Sequence, residues 1–119
     1  MNSKMVIKEN HMFSKIFKKG RYASDDFLTV YVLKNYNRSA PSKLGISVSP
    51  KIGGAVQRNR AKRVIREAFS ALYRRIPAGY LIVAVGRGPC FSRDNKTQSV
   101  VKSMEAVLAR LNLLEIKII

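Results

Sequence analysis

The residues equipped for chemistry in this chain are mostly cations and aromatics. Arg58, Asn59, Arg60, Lys62, Arg63 and Arg66 crowd one short stretch, where Glu67 is the adjacent acid. Guanidinium and ammonium groups without matching carboxylates repel one another, so the chemistry open to them is to hold an external anion. A second group is aromatic: Phe13 and Phe17 stand at the i, i+4 spacing of one helix face, and Phe27 and Tyr31 share a β-type run. Rings exposed beside small residues stack unpaired bases, for roughly 1–3 kcal/mol per base and with little sequence preference.

Hydrolytic machinery is much thinner. Phosphodiester cleavage by protein groups needs metal-binding carboxylates or a paired acid and base. The single histidine, His11, reads as a surface residue near a helix start. Asp25 and Asp26 are adjacent and read as a turn, and Glu67 reads as an ion-pair partner of Arg63 or Arg60. Cys90 is the lone cysteine, expected to be inert, so neither an internal disulfide nor a cysteine-based zinc site is open. The expectation is no catalytic residue and no dedicated metal site. A protein-only nuclease using Asp25, Asp26 and Glu67 is the competing reading, and a general RNA or DNA chaperone another.

Charge points the same way. The 119 residues carry 23 Lys plus Arg against 7 Asp plus Glu, a net +16. Such self-repulsion is relieved by a polyanion, which makes nucleic acid or an anionic membrane surface the natural partner class. No apolar run reaches the roughly 18 residues of a membrane span, and the N-terminus lacks the apolar core of a secretory signal. With one cysteine, a reduced cytoplasm fits. Length and a 46% hydrophobic fraction suit a single domain over 1–119. Residues 1–8 read as a basic, partly mobile arm, and 113–119 as an apolar tail, either a helix extension or an edge strand.

The elements that must position these groups follow from periodicity. A short helix is predicted over 10–19, with Asn10 as N-cap and Gly20 as C′ stop. Met12, Phe13, Ile16 and Phe17 either all pack on a core or turn the two phenylalanines partly toward a groove. Tyr22 and Ala23 suggest an edge strand. In 27–34, alternation sets Leu28, Val30 and Val32 on a core face and Phe27, Thr29, Tyr31 and Leu33 on the other. In 43–49, Leu44, Ile46 and Val48 face the core, while Gly45, Ser47 and Ser49 leave the opposite face low. Small residues beside Phe27 and Tyr31 imply a shallow groove floored by an aromatic strand. Pro50 ends that strand, and Gly53 and Gly54 free the backbone to turn into a helix whose stripe is Ala61, Val64, Ile65, Ala68, Phe69, Leu72 and Ile76. The run 80–85 is apolar throughout, as in a strand buried on both faces. A loop over 86–96 contains Arg87 and Arg93, with Asp94 or Asn95 capping a closing helix over about 96–111.

The string K-I-G-G-A-V-x-R-N-R-x-K-R-x-x-R at 51–66 closely resembles the signature of the bacterial ribonuclease P protein component. So do F-x-x-I-F-K-x-G at 13–20, the F-x-x-x-Y strand at 27–31 and L-G-I-S-V-S at 44–49; the likeness covers roughly 9–112. The resemblance implies an α+β two-layer sandwich of αβββαβα order, with about four strands in a mixed sheet, three helices and a left-handed βαβ crossover. It implies a protein subunit that binds a catalytic RNA and the 5′ leader of precursor tRNA, supporting leader removal with Mg²⁺ held mainly by the RNA. Carried over by position, Arg58, Asn59, Arg60, Lys62, Arg63 and Arg66 face the catalytic RNA. Phe13, Phe17 and Tyr31 line the leader cleft with Lys51 at its edge, and Phe27 and Ser47 join them from the groove reading above. Pro50 departs from a common lysine and Gly54 from a common asparagine. The implied partners are the ribonuclease P catalytic RNA and precursor tRNA, with no membrane and no obligate protein partner.

Overall fold

The computed structural model describes residues 6–87 and 97–114. Residues 1–5 of the expected arm, Cys90, Arg93, the Asp94 or Asn95 cap, and the tail beyond Leu114 lie outside the described residues. The elements run α1 (Asn10–Lys19), β1 (Arg21–Ser24), β2 (Leu28–Lys34), β3 (Lys43–Val48), α2 (Ala55–Leu72), β4 (Tyr80–Gly86) and α3 (Thr97–Arg110), the expected order.

The four strands form one mixed sheet ordered β1-β2-β4-β3. Antiparallel pairing joins β1 to β2 and β2 to β4, whereas β3 and β4 are parallel neighbours connected through α2. Central β4 explains the unbroken apolar run: Ile82 and Ala84 belong to the core under α2 and α3, and Leu81 and Val83 to a second core under α1. The sheet thus packs α2 and α3 on one face, and the shorter α1 covers part of the other.

The stripe expected on α2 is buried as a block, with Ile65, Ala68 and Phe69 fully enclosed. Burying a side chain such as Ile65 or Phe69 contributes about 1.5–3 kcal/mol, so this stripe determines which side of α2 remains for other work. Beyond the end of α3 at Arg110 the chain turns at Asn112, whose φ of 63° is left-handed. The Leu113 amide donates to the Leu108 carbonyl (2.9 Å) and that of Asn112 to Ala109 (3.0 Å), satisfying carbonyls the helix leaves open. Leu113 and Leu114 then enter the core, so the first residues of the tail turn back instead of extending the helix or adding a strand.

Several local expectations are corrected. The N-cap of α1 is Glu9 and not Asn10, and it makes no side-chain capping bond. Gly20 does end α1 as expected, its amide donating to the Ile16 carbonyl (2.8 Å), with an extended backbone (φ −77°, ψ 154°) in place of a left-handed one. Its glycine is explained by closeness, because an added Cβ would stand 2.6 Å from the Ile16 carbonyl oxygen. Within the supposed arm, Val6 bridges to Leu44 beside β3 and Ile7 is buried, its amide donating to the Leu44 carbonyl (2.9 Å). Among the described residues no helix is long and apolar enough to cross a membrane.

Candidate nucleic-acid interface

Strand register builds the floor of a groove on the α1 side. Ser24 pairs with Thr29, Thr29 with Val85, and Val85 with Ser47, giving one row of small or β-branched residues across the sheet. The next row is Tyr22, Tyr31, Val83 and Gly45, and there α1 covers the sheet. Where α1 stops, the open part becomes a groove of about 780 Å³. Phe17, Lys18 and Gly20 form its helix side, Tyr22, Ser24, Thr29 and Tyr31 its sheet side, and Ser49, Lys51, Gly86 and Arg87 its remaining rim, with Val85 between.

The aromatics make a chain across this wall. Phe13 and Phe17 have centroids 6.3 Å apart, Phe17 and Tyr31 4.9 Å, and Tyr31 and Tyr22 5.4 Å. Phe17 is 40% exposed and Tyr22 65%, while Tyr31 between them is half-buried. Phe13 lies deeper, on Gly45: its Cζ is 2.7 Å from where a Cβ would stand, so only the missing side chain admits the ring.

Three of the expected cleft residues lie outside the groove's lining: Phe13, which packs beneath α1 on Gly45, and Phe27 and Ser47. Phe27 precedes β2 and packs on the core of α2 and α3, away from the groove. The cause is Asp25, whose Oδ1 accepts from the amides of Phe27 and Leu28 (both 2.9 Å), so strand alternation begins only at Leu28. The other Asp25 oxygen accepts from the Ser103 hydroxyl, tying this turn to α3. Ser47 holds the β3 end of the floor row, half-buried and outside the groove's immediate lining. Lys51 stands exposed on the rim.

The basic side of α2 is a second surface. Asn59, Lys62, Arg63 and Arg66 are exposed, and Arg58 and Arg60 half-buried. A hollow of about 560 Å³ runs along Asn59, Arg60, Lys62, Arg63 and Arg66, with Val56 beside them, 79% exposed. The two surfaces are joined by a short 3-10 turn, Pro50–Ile52, which Ser49 caps by accepting from the Lys51 amide (3.2 Å). Gly53 follows at φ 144°, a conformation that glycine adopts without strain, and redirects the chain into α2. Groove rim and basic helix are therefore consecutive in the chain.

The sequence places Tyr22 on an edge strand and Arg87 in a loop, and puts neither of them, nor Lys18, in the cleft. For Tyr22 the usable signal is the hairpin about Asp25 and Asp26, whose register sets Tyr22 opposite Tyr31. For Val56 it is the helical wheel, on which it falls outside the buried stripe. Among the described residues no group of three or more His, Cys, Asp or Glu side chains could hold a metal ion.

Residues 1–112 match the family model described as Ribonuclease P. The chain is 35% identical over 108 residues to the ribonuclease P protein component of Clostridioides difficile, covering 90% of this chain and 91% of that one. Against the Clostridium beijerinckii protein of the same name, identity is 39% over 93 residues, 74% of each chain. The Staphylococcus aureus RNase P protein structure superposes with a TM-score of 0.81 at 35% identity, over 93% of this chain and 98% of that one. The Thermotoga maritima RNase P protein gives 0.75 at 31% identity, over 91% and 93%.

Proposed function

The chain belongs to the ribonuclease P protein family, and from that premise we propose that it is the protein subunit of a ribonucleoprotein endonuclease that trims the 5′ leader from precursor tRNA. The single observation that supports this reading best is the adjacency of two unlike surfaces. A cationic helix face and an aromatic groove are joined through Lys51 and the turn at Gly53.

The α2 cations Arg58, Arg60, Lys62, Arg63 and Arg66, with Asn59, hold phosphates of the catalytic RNA. The groove takes single-stranded leader: Phe17 stacks a base, Lys51 and Arg87 bind phosphates at the rim, and the floor of Ser24, Thr29 and Val85 leaves room for the strand. A base that stacks on Phe17 must be unpaired, so in this reading the groove favours an unpaired leader over the paired acceptor stem. Hydrolysis belongs to the RNA. Mg²⁺ prefers several oxygen ligands, and the described residues offer no carboxylate cluster for it. In this reading the ion is held mainly by RNA phosphates, and the protein's part is to bind, align and neutralise.

The test is cleavage of a precursor tRNA by the full chain alone, by the catalytic RNA alone at low Mg²⁺, and by both together. Activity confined to the combined sample is the expected result. Cleavage by the protein alone would overturn the proposal, and an RNA reaction unchanged by the protein would leave only general RNA binding.

A further inference from the structure

We infer that Tyr22, on edge strand β1, is an outer stacking platform that extends the groove by one unpaired base, a deepening that rests on the leader-groove reading above. Position 22 lies outside both sequence segments that carry the family resemblance on this side of the molecule, 13–20 and 27–31.

The argument is geometric. Inserting a base between two rings requires roughly 7 Å, twice the stacking rise of about 3.4 Å. Tyr31 has Phe17 at 4.9 Å and Tyr22 at 5.4 Å, so neither gap admits a base. Tyr31 supports its neighbours, and the accessible ring surface passes to them. Tyr22 has the larger share, 65% exposed against 40% for Phe17. Tyr22 stands on the edge strand with Tyr31 on one side of its ring at 36°, and the rest of its surface accounts for that exposure. Direct pairing of Tyr22 with Tyr31 holds it in place, and Lys18 lines the same groove to meet the phosphate of the stacked nucleotide. A leader strand leaving the floor row over Ser24 crosses β1 there, with its next base on Tyr22.

The experiment is binding of precursor tRNA by the reconstituted holoenzyme, using leaders in which one nucleotide at a time is abasic. Tyr22→Ala should weaken binding of the intact precursor about five-fold or more, the low end of the stacking range. One abasic position should erase the difference between wild type and variant, and Tyr22→Phe should behave as wild type. Tyr22→Thr, with a side chain favoured in strands, is a second ringless variant should the edge loosen. A Tyr22→Ala loss equal on every abasic leader, or no loss at all, overturns the platform. Phe17→Ala separates the two levels. If its loss depends on one leader base and that of Tyr22→Ala does not, only the platform fails; if neither does, the groove reading fails with it.

Discussion

Phe17 and Tyr31 meet edge to face, with ring centroids 4.9 Å apart and planes at 85°. The contact joins α1 to β2, so the rings that line the groove also fasten its wall to its floor. Such a pair contributes about 0.5–1.5 kcal/mol beyond simple burial.

The two rings should therefore respond differently to removal. Tyr31→Ala, at the half-buried centre of the cluster, is expected to lower unfolding free energy by about 2–3 kcal/mol in urea titrations, and Phe17→Ala by about 1 kcal/mol. Both should reduce the holoenzyme's preference for leader-bearing precursor over mature tRNA in competition binding. Equal loss of affinity for the two substrates would remove them from the leader site.

On the other surface, Arg63→Ala or Arg66→Ala should weaken binding of the catalytic RNA across sequences. Each should reduce the slope of log K against log salt by about one, the signature of a lost phosphate contact. A salt titration showing an unchanged slope would place that side chain outside the RNA interface.

Gly20 tests how closely α1 sits on the sheet. Its φ of −77° suits alanine, yet an added Cβ would lie 2.6 Å from the Ile16 carbonyl oxygen and 3.0 Å from that of Val32. Both are backbone atoms, so Gly20→Ala must lift the helix end, at a cost of about 1–3 kcal/mol. A melting temperature equal to wild type would contradict that packing.

Asp25 separates an architectural acid from a reacting one. Removing its carboxylate leaves the Phe27 and Leu28 amides and the Ser103 hydroxyl without their acceptor. Asp25→Ala should thus lose about 2–4 kcal/mol of stability. Cleavage by the reconstituted holoenzyme should persist at temperatures where the variant stays folded. A folded variant with no cleavage would show that the acid takes part in the reaction.

Local patterns in the chain were readable where one element settles the outcome. The α2 stripe follows from a 3.6-residue period, and β4 from an apolar run too long to have a wet face. Phe27 departs from the alternation of β2 because it stands one residue before the strand, in the turn whose amides donate to the Asp25 carboxylate, and its ring packs on the core of α2 and α3. Val6 and Ile7 misled because their partner, Leu44, is far along the chain, and basic neighbours masked a docked segment.

The sequence by itself determined a cationic helix face, an aromatic and small-residue surface, and the family to which both belong, because charge and periodicity are carried by neighbours in the chain. Only the tertiary structure decided which aromatics share a wall. Tyr22 faces Tyr31 through hairpin register, Phe17 reaches the same ring from α1, and Lys51 and Arg87 meet at the rim from opposite sides of α2 in the chain. These relationships depend on strand order and on how closely a helix can approach a sheet, and residues distant in sequence acquire them only once the core has closed.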